Sequence, residues 1–111
     1  MNQGIKTILY PVKDLSRAKA LFTKLLGVEP IADSAYYVGY KVGGQDIGLT
    51  PGGQGEGATG YYHVDDIQRD LQLLVDSGAT VVQAVRNVAP GRQVASVKDA
   101  DGNLIGLIQD S

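Results

Sequence analysis

The sequence contains an internal repeat that divides the chain into two similar halves. A shift of 52 positions places five residues on identical ones: Thr7, Tyr10, Val12, Asp14 and Arg17 fall on Thr59, Tyr62, Val64, Asp66 and Arg69. A shift of 58 positions superimposes residues 47–49 on residues 105–107. Chance similarity between short amphipathic segments is the alternative. We favour two copies of one unit.

Local patterns predict the same order of elements in both halves. In the first half they predict a strand over residues 5–12, a helix between the N-cap candidate Asp14 and Gly27, and three short strands. The first-half strands are expected around 28–31, 36–42 and 46–50. In the second half a strand over 59–64 precedes a helix from Asp66 to Gly78, with strands around 80–84, 92–98 and 104–109. We therefore predict an α+β fold of two βαβββ modules.

The 111-residue chain has the length of a single domain. We expect residues 1–50 to form module 1, residues 51–58 a glycine-rich linker, and residues 59–111 module 2. Neither module can bury its sheet alone, so each needs the other half or another copy of the chain.

Composition excludes several classes of partner. The net charge is −2 with no run of basic residues, which argues against a nucleic-acid partner. The absence of cysteine rules out disulfides and thiolate metal sites. No apolar run reaches membrane-spanning length and no signal peptide is recognisable, so we expect no membrane association and a cytoplasmic location.

Ligands for a catalytic metal are scarce. The chain has a single histidine, His63, and its only glutamates are Glu29 and Glu56. A catalytic divalent site of the nitrogen and oxygen type typically needs about three protein ligands from His, Asp and Glu. A site made from His63 and aspartates alone would be weak. We therefore predict no metal and no other cofactor.

Three segments carry a family resemblance: residues 12–27, residues 63–67 and the turn at residues 99–103. Together they resemble the vicinal oxygen chelate superfamily, which includes glyoxalase I, extradiol dioxygenases, fosfomycin-resistance enzymes and bleomycin-resistance proteins. The resemblance implies curled mixed sheets around a cleft, often in a homodimer that exchanges modules. It also implies metal ligands at four positions, which here are Thr7, Thr59, Gly48 and Gly106. None of the four is a histidine or a carboxylate.

Strand alternation combined with the resemblance indicates which residues line the cleft. The predicted ligand-binding set is Thr7, Leu9, Tyr36, Tyr40, Gly48, Thr50, Thr59, Tyr61, His63, Gly106 and Ile108. Such a lining suits an uncharged or aromatic organic molecule. The two glycines either leave room for a flat ligand or relieve crowding in the sheet. Tyr36 and Tyr40 share a face, with Tyr37 on the other, and core packing is the alternative to ligand stacking.

His63 is the strongest candidate for a functional residue, because histidine is the only side chain that ordinarily titrates near neutral pH. It is a candidate for ligand contact or acid–base catalysis, with a structural role as the alternative. No carboxylate can be assigned to it from sequence. Arg86, Arg92 and Lys98 are cations that suit a carboxylate, although surface charge is the common role of such residues.

These observations favour a binding protein that sequesters a small organic ligand in the cleft between modules, within a homodimer. One alternative is a metal-independent isomerase or lyase that uses His63 as acid or base. Another is a non-catalytic dimerisation or regulatory module, and a metalloenzyme comes last. Only the chemistry of the site, and not the fold, decides among them.

Overall fold

A computed structural model describes residues 2–52 and 57–111 of the chain. Residues 53–56 of the predicted linker lie outside this described part. The chain divides into two compact units: a first unit, Thr7–Thr59, and a second unit made of the residues up to Lys6 together with Gly60–Ser111. The first residues of the chain therefore belong with its second half.

The first unit has the predicted order βαβββ. Its elements are β1 (Ile5–Val12, in this unit from Thr7 onward), α1 (Leu15–Leu26), β2 (Ala32–Asp33), β3 (Val38–Val42) and β4 (Gln45–Pro51). The strands lie in the order β2-β3-β4-β1. β1 runs parallel to β4, whereas the other neighbouring strands are antiparallel, so the sheet is mixed.

The second unit repeats this arrangement. Its elements are β5 (Thr59–His63, in this unit from Gly60 onward), α2 (Ile67–Asp76), β6 (Thr80–Ala89), β7 (Arg92–Lys98) and β8 (Leu104–Asp110). The strand order is β5-β8-β7-β6, with β5 parallel to β8 and the remaining pairs antiparallel. The predicted α+β class and the two βαβββ modules with mixed sheets are confirmed.

The two shifts of the sequence repeat correspond to one cross-strand pair in each unit. Leu9 of β1 lies opposite Gly48 of β4. Tyr61 of β5 lies opposite Gly106 of β8, which are the residues that the shifts of 52 and 58 assign to Leu9 and Gly48. The repeat therefore extends from the order of elements to the register of the strands.

Both helices begin at the predicted aspartates. The Asp14 carboxylate accepts the backbone N–H of Arg17 at 3.0 Å, and the Asp66 carboxylate accepts that of Arg69 at 3.1 Å. A cap of this kind contributes about 1 kcal/mol, because it pairs an amide that the helix leaves unbonded. α1 ends at Gly27, whose φ of 72° is the left-handed conformation that favours glycine at this position.

Each helix covers one face of its sheet and forms a small core there. The α1 core has Val38, Tyr40 and Leu49 at its centre, with partly buried Tyr10, Val12, Leu15, Ala18, Phe22, Leu26, Val42 and Ile47 around them. The α2 core has Val64, Ile67, Ala95 and Leu107 at its centre, with Tyr62, Leu71, Leu74 and Val85 around them. Since side chains alternate along a strand, the remaining residues of each strand lie on the opposite side, called here the helix-free face.

Several strand boundaries differ from the prediction. The strand predicted at 36–42 begins only at Val38, because the Ser34 hydroxyl accepts the amide N–H groups of Tyr36 and Tyr37 at 3.2 and 3.1 Å and holds them in a turn. In place of the strand predicted at 28–31, the structure has the two-residue β2. No helix within residues 2–52 or 57–111 is long and apolar enough to cross a membrane.

Candidate functional site

The helix-free face of the first unit is built around a pair of glycines. Gly39 of β3 and Gly48 of β4 are register partners, and Leu9 continues the same row on β1. Both glycines are buried. Their lack of side chains leaves a flat area of backbone in the middle of this face.

The ring of Tyr37 fills that area. A Cβ atom added to Gly48 would lie 2.7 Å from Tyr37 Oη and 2.9 Å from Leu9 Cδ1, and one added to Gly39 would lie 2.7 Å from Tyr37 Cε2. These distances are shorter than van der Waals contact, so a side chain at either position would force the Tyr37 ring to shift. The Tyr37 ring therefore spans the two glycines, and its 36% exposed fraction leaves part of it accessible.

The second unit repeats this packing with a different tyrosine. A Cβ atom added to Gly106 would lie 2.5 to 2.7 Å from three consecutive ring atoms of Tyr61, its own register partner. Nearly equal distances to Cγ, Cδ2 and Cε2 mean that the ring faces the glycine. Each unit thus has a tyrosine ring packed on glycine backbone on its helix-free face, and we call these the tyrosine–glycine pairs.

The tyrosine–glycine pairs fill the space next to Gly48 and Gly106. The space that a metal-ligating side chain would need at Gly48 or Gly106 is occupied by a tyrosine ring of the same unit. Of the two threonines at the corresponding first-strand positions, Thr7 is buried and Thr59 is half-buried. Within the described residues, no group of three or more His, Cys, Asp or Glu side chains is arranged to hold a metal ion.

His63 has a carboxylate neighbour that sequence reasoning missed. Its Nδ1 lies 3.7 Å from Oδ2 of Asp110, and only 12% of the histidine side chain is exposed. Asp110 in turn accepts two bonds from Arg92, from Nε at 2.7 Å and from Nη2 at 3.1 Å. The separation of 3.7 Å exceeds hydrogen-bond length, and the contact is an ion pair only when the imidazole is protonated. Parallel pairing of β5 with β8, invisible in the linear sequence, places Asp110 near the imidazole.

The backbone holds His63 firmly. Its N–H donates to the carbonyl of Gly4 at 3.0 Å, and its own carbonyl accepts the N–H of Gln3 at 2.8 Å. A histidine fixed in this way next to a carboxylate has the components of an acid–base pair.

The surroundings of Tyr61 shift the pKa of its hydroxyl. Burial raises the pKa of its hydroxyl, and the positive charge of Arg86 acts in the opposite direction. The neutral phenol is therefore the form that this environment favours at physiological pH. As a neutral group it can both donate and accept a hydrogen bond.

Two of the predicted site residues lie elsewhere. Tyr40 is 1% exposed and belongs to the α1 core, where its hydroxyl donates to the carbonyl of Lys19 at 3.0 Å and lies 2.7 Å from Thr23 Oγ1. Its placement on the cleft side was wrong, because its register partner Ile47 faces the helix. Tyr36 is 80% exposed and precedes β3, so it has no strand face.

The other predicted residues lie on helix-free faces, with differing access. Leu9, Thr50, Thr59, Tyr61 and His63 are half-buried. Thr7, Gly48, Gly106 and Ile108 are buried, and Ile108 is only 2% exposed. Tyr37, which alternation had placed on the face opposite Tyr36 and Tyr40, is the aromatic residue of the first unit that belongs with Gly48.

Comparison with known proteins identifies the fold and its family. The profile of the Glyoxalase/Bleomycin resistance protein/Dioxygenase superfamily matches residues 4–107. A search of curated proteins finds no match. Among solved structures, a hypothetical protein of Bacillus halodurans C-125 has a TM-score of 0.81 at 17% identity, over 99% of this chain and 95% of that one.

Two further structures have the same fold. A glyoxalase/bleomycin resistance protein/dioxygenase superfamily member from Vibrio splendidus 12B01 has a TM-score of 0.76 at 21% identity, over 94% of this chain and 97% of that one. Methylmalonyl-CoA epimerase from Mycobacterium tuberculosis has a TM-score of 0.76 at 18% identity, over 97% and 88% of the two chains. At these identities the similarity establishes the fold alone.

Proposed function

The chain belongs to the Glyoxalase/Bleomycin resistance protein/Dioxygenase superfamily, and we propose that it binds an organic ligand without a catalytic metal. The observation that carries this proposal is the tyrosine–glycine pair of each unit. In both units a ring occupies the place where the resemblance puts a metal-ligating side chain.

The geometry of the pairs favours a planar ligand. One side of each ring is packed on glycine backbone, so the opposite side is the one that a ligand would contact. Aromatic rings gain about 0.5–1.5 kcal/mol from offset stacking beyond the area they bury. A ring that is already immobilised by the sheet loses little conformational entropy when a ligand stacks on it.

Stacking is tested with a neutral planar probe, 2-naphthamide, by titration calorimetry with a chelator present. We expect saturable binding that Tyr37→Ala and Tyr61→Ala each weaken by about three- to tenfold. Tyr37→Phe and Tyr61→Phe keep the rings and should retain the affinity. Tyr36→Ala is the matched control, since it removes an exposed tyrosine outside these faces. Absence of binding, or equal weakening by Tyr36→Ala, would contradict the proposal.

A second candidate function rests on the contact between His63 and Asp110. In a metal-independent isomerase or lyase, His63 would transfer a proton and the Asp110 carboxylate would orient its imidazole. This reading predicts that a ligand is recovered chemically altered, and that His63→Ala abolishes turnover while leaving the fold intact. Unchanged turnover in that variant removes the candidate.

We also propose that the chain works as a homodimer. Support comes from the first unit, where Leu21, Leu25 and Ile31 are largely exposed although they are apolar. Light scattering at micromolar concentration should give twice the mass of the chain. A mass of one chain would exclude the dimer and leave the ligand-binding proposal standing.

A further inference from the structure

The helix-free face of the second unit places a cation beside the tyrosine–glycine pair. His63 lies opposite Ile108, Ile108 opposite Val94, and Val94 opposite Arg86, which forms one register row across the four strands. Register partners project to the same side of a sheet. Arg86 therefore lies on the face of His63 and of Tyr61, which is two residues earlier on β5.

A β-bulge is responsible for this position. Between Gln83 and Arg86, β6 advances three residues while β7 advances two, from Ser96 to Val94. Simple alternation from Gln83 would place Val85 on the helix-free face and Arg86 beneath the helix. The bulge reverses both, and Val85 accordingly packs in the α2 core. Bulges are common where a strand re-aims a side chain next to a functional site.

Within residues 2–52 and 57–111, no carboxylate forms an ion pair with Arg86. Arg92, on the same face, is held by both oxygens of Asp110. Arg86 is exposed and, among the residues that the structure describes, forms no ion pair. Its guanidinium is also near enough to Tyr61 to act on the phenol hydroxyl. A ligand anion next to the ring would therefore meet an uncompensated positive charge.

From this arrangement we infer that Arg86 is an anion-binding residue and that the ligand of the second unit is an aromatic carboxylate. The inference rests on the proposed function, since the aromatic part of the ligand stacks on Tyr61. The planar guanidinium binds a carboxylate through two parallel N–H bonds, which fixes the ligand in the plane as well as in position. The Tyr61 hydroxyl is available to the same carboxylate as a donor.

The test compares two probes of nearly equal shape, 2-naphthoate and 2-naphthamide, by titration calorimetry at low salt. For the unsubstituted protein we expect naphthoate to bind about tenfold more tightly than naphthamide. Arg86→Gln should raise the Kd of naphthoate about tenfold and leave that of naphthamide within twofold. Arg69→Gln is the matched control, because it removes one positive charge from the helix side of the same unit.

The possible outcomes distinguish failure of the role of Arg86 from failure of ligand binding itself. Equal Kd values for the two probes would overturn the role of Arg86 and leave ligand binding established. The same loss of naphthoate affinity in Arg69→Gln as in Arg86→Gln would also overturn it, because the effect would then follow net charge. If neither probe binds, the proposed function fails together with the inference. Circular dichroism and thermal melting of both variants verify that they are folded.

Discussion

At the scale of single residues, the molecule is defined by two glycines and the tyrosines that cover them. Gly48 and Gly106 occupy equivalent register positions, yet Tyr37 follows the helix of its module and Tyr61 lies on the first strand of its module. Tyrosines from different positions in the two modules thus make the same packing contact with a strand glycine. Packing of an aromatic ring on strand glycine compensates for the side chain that glycine lacks.

Gly106→Ala tests this packing through stability. The new Cβ would lie 2.5 Å from the Tyr61 ring, so the ring must move, and we expect the free energy of unfolding to fall by about 1–3 kcal/mol. In a Tyr61→Ala background the same substitution should cost little. Urea denaturation of the four proteins in this double-mutant cycle measures the coupling.

The matched control for that cycle is Gly60→Ala. The three atoms nearest to a Cβ at Gly60 are side-chain atoms of the exposed Ile5, the closest at 3.2 Å. This neighbour can give way, so the cost should stay within about 0.5 kcal/mol. A zero coupling energy between positions 61 and 106 would show that the ring does not depend on the glycine.

Tyr61 also makes the stability of the protein depend on alkaline pH. Its pKa is raised by burial above the ordinary 10.0, so the folded state holds the phenol proton more tightly than the unfolded state. The corresponding stability is fully present below pH 10 and is lost as the pH rises through the pKa of the folded state.

Tyr61→Phe has no such proton and should lose less stability over this window. Urea denaturation at intervals from pH 8 to 11 compares the two proteins, and other alkaline titrations, such as that of Lys19, are common to both. Parallel decline in the two proteins would mean that Tyr61 is not the group responsible.

At the scale of secondary-structure elements, a buried tyrosine hydrogen-bonds α1 to its sheet. The hydroxyl of Tyr40 on β3 reaches Thr23 and the carbonyl of Lys19, both on α1. Tyr40 therefore lies on the helix side of the sheet, and the proposed ligand site is on the other side.

Tyr40→Phe should therefore lower the free energy of unfolding by about 1 kcal/mol, since it removes hydrogen bonds that are partly buried. Binding of 2-naphthamide should be unchanged, because the ring stays in the core. Thermal unfolding and calorimetry on the same sample make the comparison. Weaker binding of 2-naphthamide without a loss of stability would contradict this prediction and would indicate that Tyr40 contacts the ligand.

Elements were predictable where the pattern is local and periodic. Capping chemistry predicts that the two helices begin at Asp14 and Asp66, as they do. The two shifts of the sequence repeat also match the pairing of Leu9 with Gly48 to that of Tyr61 with Gly106. Where a side chain or a bulge overrides alternation, prediction failed. The Ser34 turn delays β3 and separates Tyr36 from Tyr40. The strand predicted at 80–84 continues to Ala89, and a bulge within it places Arg86 on the helix-free face.

The site was less predictable than the fold, because its contacts join residues distant in sequence. Gly106 and Tyr61 were both identified as facing one side, but nothing in the sequence states that the ring packs on the glycine. Asp110 is the penultimate residue, and its contact with His63 depends on the parallel pairing of β5 with β8. Such pairings require the tertiary structure.

At the scale of the whole molecule, the two βαβββ units share one strand register, and in each unit a glycine stands where the family resemblance implies a metal ligand on the last strand. Each unit retains a helix-free face, but the chemistry on the two faces differs. The first unit presents Tyr37 over two glycines, whereas the second combines Tyr61 with His63, Asp110 and Arg86. An aromatic anion would therefore bind the helix-free face of the second unit in preference to that of the first.

We propose that the whole molecule binds an organic compound and no catalytic metal. Native mass spectrometry of the protein purified from its source cells, with metal analysis of the same sample, tests this proposal. We expect an organic adduct that dissociates on denaturation, with metal far below one equivalent per chain. Metal at about one equivalent per chain would contradict it and would require an unorthodox site that includes His63 and aspartates.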